Sequence, residues 1–403
     1  MKNNETYLVC TNIRETWPES KKKNLIFSSE AALDKYPRKN FEYKNFQINK
    51  YHWKNKTNLL KDLKYVNEFY NKVLISLSQS LNKIHNCNYS KKFWRILLGP
   101  WLGTFIFILY ERWKNLETSK QNFKIDKLIK LKIDPLSFIP YEAEDFIKLT
   151  QNDLWNQIVY QSMFTEFFEK ENIEENELSN LKLKIAKNTF RQKKDDHSLI
   201  KKIFFKLFDL VNREKYRYLI FKTYTGAANE LKLSFKFNQL PIFQIEKHQY
   251  VSKKSIDKNL RLKLNHIIVS SDKFENFVIK SLKNFIPKVF LENFEDLKKF
   301  SSHSNLPKNP EKIISANALW YDSFFMFHSA QLMEGKTKLI YAQHGGAYGI
   351  SEYSWPEEHE KKISDKYLSW GWNGSDKKSK VKKFFVTLKK KNFEWNRKKM
   401  KSL

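Results

Sequence analysis

Apolar and polar positions follow two alternating patterns along the chain. Short apolar runs that suit buried parallel strands alternate with segments in which apolar residues recur every three or four positions, as in amphipathic helices. The predicted strands lie at 7–11, 25–27, 216–223, 241–244, 264–270, 289–291, 312–315, 339–343 and near 367–372. The main predicted helices lie at 58–85, 227–237 and 318–333. This alternation predicts an α/β fold built on a Rossmann-like parallel sheet.

The pattern is mainly helical between about residues 51 and 212. The longest periodic segment, 58–85, has Thr57 available as its N-cap, and the charged segment 169–197 predicts an exposed helix and loop. The sequence therefore predicts one α/β domain over residues 1–375, with a sheet that a helical insertion interrupts. Residues 376–403 are dominated by lysine and predict a separate tail.

The apolar segment 93–110 raises the question of a membrane span. Only 15 uncharged residues separate Arg95 from Glu111, and Pro100 interrupts them, whereas about 20 are needed to cross a bilayer. The segment therefore predicts a buried helix with a proline kink, and a shallow interfacial helix is the alternative. Arg95 needs a partner inside this segment, either in a core ion pair or as a hook for a bound anion.

A histidine and two glycines follow the predicted strand 339–343. Strand 312–315, helix 318–333 and strand 339–343 predict a right-handed crossover, which brings the carboxyl ends of both strands to one edge of the sheet. We therefore expect Asn317 and Gln343 near His344, with Gly345 and Gly346 completing a ligand-binding edge. An ordinary turn histidine is the alternative.

Two further groups of polar residues point to the same kind of site. The segment 352–365 is rich in carboxylates, and Glu360 and Asp365 would orient the imidazole of His344 unless the segment is simply a solvated acidic loop. Lys222 and Thr223 end another predicted strand and would meet an anionic group. Their turn has a single glycine and matches neither a P-loop nor a dinucleotide fingerprint.

Composition narrows the classes of function. The formal net charge is +30, which suits nucleic acid, anionic membranes or phosphorylated substrates. Lysine dominates over arginine, the residue that readers of base edges favour, so we expect no nucleic-acid partner. Two cysteines form neither a disulfide framework nor a zinc site, and the polar start lacks a signal peptide. We expect a cytoplasmic protein that holds no metal.

Several blocks in a fixed order carry a family resemblance over roughly residues 7–372. The chain resembles a family of bacterial transferases associated with surface-carbohydrate and O-antigen synthesis, first defined on a leptospiral protein. The blocks are Tyr51, His52 and Trp53; residues 94–103; Gln343, His344, Gly345 and Gly346 with Tyr348 and Gly349; His359 and Glu360; Ile363, Ser364 and Asp365; and Trp370, Gly371 and Trp372.

This resemblance implies a GT-B glycosyltransferase, with two Rossmann-like domains facing a cleft and no metal ligand or bound cofactor. The co-substrate would be a nucleotide-activated sugar or a similar donor, and the acceptor a glycan or a lipid-linked precursor, with contact to the inner membrane from the cytoplasmic side. In the similar glycerophosphotransferases, a histidine before a glycine acts as general base. By resemblance His344 takes that role, while Tyr348, Arg95 and the other polar residues named above bind substrate.

The resemblance also suggests that the chain is short for its family. Members continue past the Trp370–Trp372 block into a second α/β domain, so residues 376–403 would be the truncated start of a donor-binding domain. An inactive fragment or an accessory binding protein of the same pathway is therefore one alternative function. A basic nucleic-acid-binding protein is the other.

Overall fold

A computed structural model describes residues 5–33, 43–178, 211–242, 255–265, 267–374 and 379–384. The chain divides into two compact units. The first unit comprises Met1–Val211, Ile245–Asn305 and Leu319–Gly335. The second comprises Asn212–Gln244, Leu306–Ala318 and Lys336–Leu403.

The described residues form ten strands and eleven α-helices. The strands are β1 Thr6–Val9, β2 Asn24–Phe27, β3 Phe46–Ile48, β4 Lys127–Leu131, β5 Ile173–Asn176, β6 Tyr218–Ile220, β7 Lys312–Ser315, β8 Lys338–Ala342, β9 Lys366–Trp370 and β10 Val381–Phe384. The helices are α1 Lys56–Ile84, α2 Lys91–Asn122, α3 Ala143–Thr150, α4 Asp153–Phe167, α5 Ala227–Lys236, α6 Lys258–Leu262, α7 Lys273–Phe285, α8 Phe294–His303, α9 Ala318–Tyr321, α10 Ser323–Met333 and α11 Trp355–Ile363.

The first unit contains a parallel sheet in the order β3-β2-β1-β4-β5. This is a doubly wound order, in which the direction of winding reverses between β1 and β4. Val9, Leu25 and Phe27 are fully buried in its core. Trp17 packs there too and donates from Nε1 to the carbonyl of Thr11 at 3.0 Å, so this tryptophan belongs to the core.

Two long helices, α1 and α2, pack against each other in the first unit. The side chain of Asn55, and not the predicted Thr57, caps α1 by accepting from the backbone N–H groups of Thr57 and Asn58. The side chain of Ser90 accepts from the N–H of Phe93 and caps α2. The caps satisfy donors that lack partners at a helix start.

Helix α2 is long and apolar enough to cross a membrane by length and composition. In its most apolar window, 83% of the residues are buried inside the protein. It packs against α1, α3, α4, α7 and α10, and continues through Pro100 as one helix. These contacts are those of a core helix, as the sequence analysis expected for this segment.

The second unit contains its own parallel sheet in the order β10-β9-β8-β7-β6. Strand β8 lies at the centre, where Leu339 and Tyr341 are fully buried. Strand β10 pairs with β9 at the edge and lies within the segment predicted as a lysine-rich tail.

The fold class α/β with parallel sheets agrees with the sequence analysis, but the arrangement differs in several places. Two sheets replace the single sheet that was predicted, and the predicted helical insertion contains β4 and β5 of the first sheet. The strands predicted at 264–270 and 289–291 are wrong: Leu264 and Asn265 lie in a turn, residue 267 lies in a bend, residues 268–270 have no regular secondary structure, and Lys288–Phe290 is a 3-10 helix. Much of the predicted segment 169–197 and part of strand 241–244 lie outside the described residues, and the boundary at residue 375 stays a prediction.

Candidate functional site

His344 lies two residues beyond the carboxyl end of β8, the central strand of the second sheet. Ligands collect at this edge in open parallel sheets. The imidazole side chain is 14% exposed, so part of it can be reached from outside. The rings of Tyr224 and Tyr348 lie edge-on to it, at centroid distances of 6.0 and 5.8 Å.

A buried carboxylate stands behind the imidazole. Nδ1 of His344 lies 3.1 Å from Oε1 of Glu360, which is 0% exposed on α11. The hydroxyl of Tyr348 donates to Oε1 at 3.1 Å, and the hydroxyl of Tyr367 donates to Oε2 at 2.9 Å. The 3.1 Å approach is a charge contact without the geometry of an aligned hydrogen bond. The negative charge of the carboxylate favours the tautomer with hydrogen on Nδ1, which leaves the lone pair on Nε2.

Tyr367 remains a donor because its environment opposes ionisation. Burial, followed by the charge of Glu360, raises the pKa of Tyr367 far above its ordinary value. The hydroxyl therefore stays protonated at any physiological pH and holds one oxygen of the Glu360 carboxylate. The other oxygen is left to Tyr348 and His344.

Gln343 fixes the loop that carries His344. Its Nε2 donates to the carbonyl of Gly345 at 2.8 Å and lies 3.5 Å from the carbonyl of Tyr348. Its Oε1 accepts from the backbone N–H of Trp370 at 2.8 Å and from Nε1 of Trp372 at 2.9 Å. All four hydrogen-bonding positions of this buried amide are used inside the protein, so Gln343 positions the loop and has no position left for substrate.

The glycines of this loop differ in what an added side chain would meet. A Cβ at Gly345 would lie 2.7 Å from the Tyr348 ring, and a Cβ at Gly349 would lie 2.6 Å from the Trp372 ring. Gly349 also has a φ of +78°, which other residues rarely adopt. A Cβ at Gly346 would meet nothing within 4 Å. Gly346 is therefore the open point of the loop.

Three consecutive backbone donors lie at this open point. The N–H groups of Gly345, Gly346 and Ala347 make no hydrogen bond to any described residue. Gly346 and Ala347 are exposed, and the next N–H but one, that of Gly349, donates to Oε2 of Glu357 at 2.8 Å. Consecutive backbone N–H groups of this kind can donate hydrogen bonds to the oxygens of an anionic group.

Lys222 and Thr223 lie at the same edge of the sheet, after β6. Both the backbone N–H and the hydroxyl of Thr223 donate to Oε1 of Glu230. The chain's own carboxylate thus occupies the donors that were predicted to meet an anion, and it would repel one. Lys222 is exposed, with a φ of +50°.

The other predicted site residues, Asn317, Asp365 and Arg95, lie in three different parts of the fold. Asn317 follows β7, the neighbour of β8, and its Oδ1 is buried without a hydrogen bond among the described residues. Asp365 is not beside His344: its carboxylate accepts from the N–H of Leu339 at 2.8 Å, at the amino-terminal end of β8. Arg95 belongs to α2 in the first unit.

Sequence reasoning missed Tyr224, Glu357 and Tyr367, although each contributes to the site. The pattern around Tyr367 predicts a buried strand residue, and the neighbouring sequence does not indicate that its hydroxyl donates to Glu360. Trp372 was quoted only within a family block, without the hydrogen bond to Gln343. Among the described residues no group of three or more histidine, cysteine or acidic side chains could hold a metal ion.

The fold and the site define an α/β protein with a histidine and carboxylate pair at the carboxyl edge of a parallel sheet. The chain belongs to the LIC12162 family of transferases, because the family model described as LIC12162 family transferase matches residues 6–403. No curated protein and no solved structure matches the chain. The predicted transferase class is confirmed by this match.

Proposed function

We propose that this transferase moves a sugar or a related group from a nucleotide-activated donor to a hydroxyl of a surface-polysaccharide or O-antigen precursor. The observation that carries the proposal is the buried Glu360 carboxylate 3.1 Å from Nδ1 of His344. It prepares Nε2 to accept a proton from a nucleophilic hydroxyl, which is the step that group transfer to an alcohol requires.

In the proposed reaction, Nε2 of His344 takes the proton of the acceptor hydroxyl as its oxygen attacks the anomeric carbon of the donor. The bond from that carbon to the nucleotide phosphate breaks, and its electron pair leaves with the phosphate. The Glu360 carboxylate stabilises the imidazolium that forms. The N–H groups of Gly345, Gly346 and Ala347 are available to the negative charge of the leaving phosphate.

Two features of the fold support a GT-B arrangement as part of this proposal. The first sheet has the doubly wound order β3-β2-β1-β4-β5, and the second is a separate parallel sheet with the candidate base at its central strand. Two α/β units of this kind are what the GT-B resemblance predicts. We propose a cytoplasmic protein that works at the inner face of the membrane, where lipid-linked acceptors would be found.

The test is a transfer assay with the purified full chain and a panel of nucleotide-sugars, with acceptor extracts from a surface-polysaccharide pathway. We expect a product that requires both substrates and falls about a hundredfold or more in His344→Gln, the loss expected for a general base. His303→Gln is the matched control, because His303 is exposed on α8. Binding of a nucleotide-sugar without turnover would favour the accessory protein instead.

A further inference from the structure

A buried positive charge without a carboxylate lies in the first unit. Arg95 of α2 is 8% exposed. Its Nη2 donates to Oδ1 of Asn71 at 2.8 Å, and its guanidinium carbon lies 5.7 Å from the centre of the Tyr70 ring. Nη1 is buried and has no hydrogen-bond partner among the described residues. Of the two alternatives predicted for Arg95, the core ion pair is therefore not seen among the described residues, and the hook for a bound anion stays open.

A second cation lies one helical turn before Arg95. Lys91 is exposed on α2. Partial desolvation of its ammonium group, followed by the charge of Arg95, lowers the pKa of Lys91. Residues four apart on a helix face each other, so two like charges at this spacing are destabilising. Neither Lys91 nor Arg95 forms an ion pair with a carboxylate in the part of the chain that the structure describes.

An acid that contacts the start of α2, Glu334, is engaged with Ser90. Both carboxylate oxygens of Glu334 accept from Ser90, one from its backbone N–H at 2.9 Å and one from its hydroxyl at 2.5 Å. This satisfies the cap of the helix and leaves the charge of Arg95, one turn further in, uncompensated. Burying an unpaired charge is costly, and the cost is recovered when an anion binds.

We propose that Arg95 and Lys91 form a binding site for a phosphoryl group in the first unit. A guanidinium offers N–H donors in a planar fork that matches phosphate oxygens, and two cations match a phosphate dianion. Lys91 lies one helical turn before Arg95 and would supply the second positive charge. Asn71 holds the guanidinium in place for it.

The test compares the thermal unfolding of the full chain in inorganic phosphate and in chloride of equal ionic strength. We expect phosphate to raise Tm in the wild type and in Lys64→Gln, an equal charge change at an exposed lysine of α1. In Lys91→Gln the phosphate concentration for half of the shift should rise about tenfold, the effect of one charged hydrogen bond. Equal responses of Lys91→Gln and Lys64→Gln would overturn the proposal.

Two further arms complete the experiment. Arg95→Gln should lose the phosphate response entirely, whereas His344→Gln should keep it, because the site does not depend on the proposed transfer. Vesicles of phosphatidic acid and of phosphatidylcholine distinguish the source of the phosphoryl group. Sedimentation with phosphatidic acid that Lys91→Gln weakens more than Lys64→Gln does assigns a lipid headgroup, and a phosphate response with equal sedimentation of the two variants assigns a soluble phosphate ester.

Discussion

Glu360 organises the candidate site from a position that no substrate needs to touch. Its two oxygens accept hydrogen bonds from the hydroxyls of Tyr348 and Tyr367, and Oε1 also lies next to Nδ1 of His344. Because the group is fully buried, its geometry is set by these neighbours and not by solvent. Sequence reasoning identified the residue from a carboxylate-rich segment, but could not separate it from Asp365, which lies at the other end of β8.

Glu360→Gln tests this positioning role. The amide can no longer act as an acceptor only, so the imidazole loses its preference for hydrogen on Nδ1, and we expect kcat to fall about a hundredfold with little change in the acceptor KM. Nitrogen NMR of His344 should show the change of tautomer. Glu358→Gln, the same change at a more exposed position of α11, should leave both readouts as they are, and an unchanged tautomer in Glu360→Gln would contradict the role.

Tyr367→Phe removes one donor from the buried carboxylate. We expect the free energy of unfolding to fall by about 1–3 kcal/mol, the cost of leaving a buried acceptor without its partner. Chemical denaturation measures it. Tyr224→Phe is the control, because Tyr224 is exposed and keeps its ring beside His344. Equal stability of Tyr367→Phe and the wild type would mean that water replaces the hydroxyl.

The two cysteines should react at very different rates. Burial raises the pKa of Cys10 to about 12, so below that pH its thiol stays protonated, and only about one part in ten thousand is thiolate at pH 8. Cys87 is only partly buried. A thiol reagent at pH 8 should label one site per chain quickly and none in Cys87→Ser. Fast labelling of Cys87→Ser would show that the segment directly after β1 opens in the native state.

At the scale of elements, the loop after β8 depends on close approach between backbone and rings. Gly349→Ala would force a Cβ into the Trp372 ring at a φ of +78°. We expect a loss of about 1–3 kcal/mol in the free energy of unfolding, the range for a residue held in a disfavoured backbone conformation. Gly346→Ala, where the Cβ meets nothing within 4 Å, should cost less than that. Similar losses in both variants would contradict this account.

The strands that could be predicted from the sequence are those whose apolar runs end at polar or turn-forming residues. Strands β7 and β8 are confirmed, and a polar residue stands at or just after the end of each, Ser315 in β7 and Gln343 after β8. The run 264–270 fails because periodicity cannot separate a short strand from other apolar segments. Val269 within it is 92% exposed. The run 289–291 is buried, but its first two residues belong to the 3-10 helix Lys288–Phe290 and Leu291 ends that helix.

At the scale of the whole molecule, the sequence did not reveal that the strands form two sheets. The side-chain pattern of a strand reports its own burial, whereas its neighbour depends on contacts distant in sequence. Strand β4 illustrates this, because it lies inside the predicted helical insertion and yet pairs with β1. As a result Arg95 and His344, which sequence reasoning assigned to one site, belong to different units.

The net charge of +30 gives a prediction for the whole chain. We expect it to sediment with vesicles containing anionic lipid at low salt and to be released as salt is raised, because exposed charges are screened within about 10 Å at 0.1 M. Neutral vesicles are the control. Binding to single-stranded RNA that survives higher salt than vesicle binding would instead favour the nucleic-acid alternative.

The amide of Gln343 has a practical consequence for redesign. One planar group spans the loop that carries His344 and the segment from Trp370 to Trp372, and no other natural side chain offers two donors and two acceptors with the same reach. Libraries that vary the tryptophan segment to change substrate preference would therefore shift the histidine as well. Selectivity is better sought at Gly346 and Ala347, where the chain leaves room for new side chains.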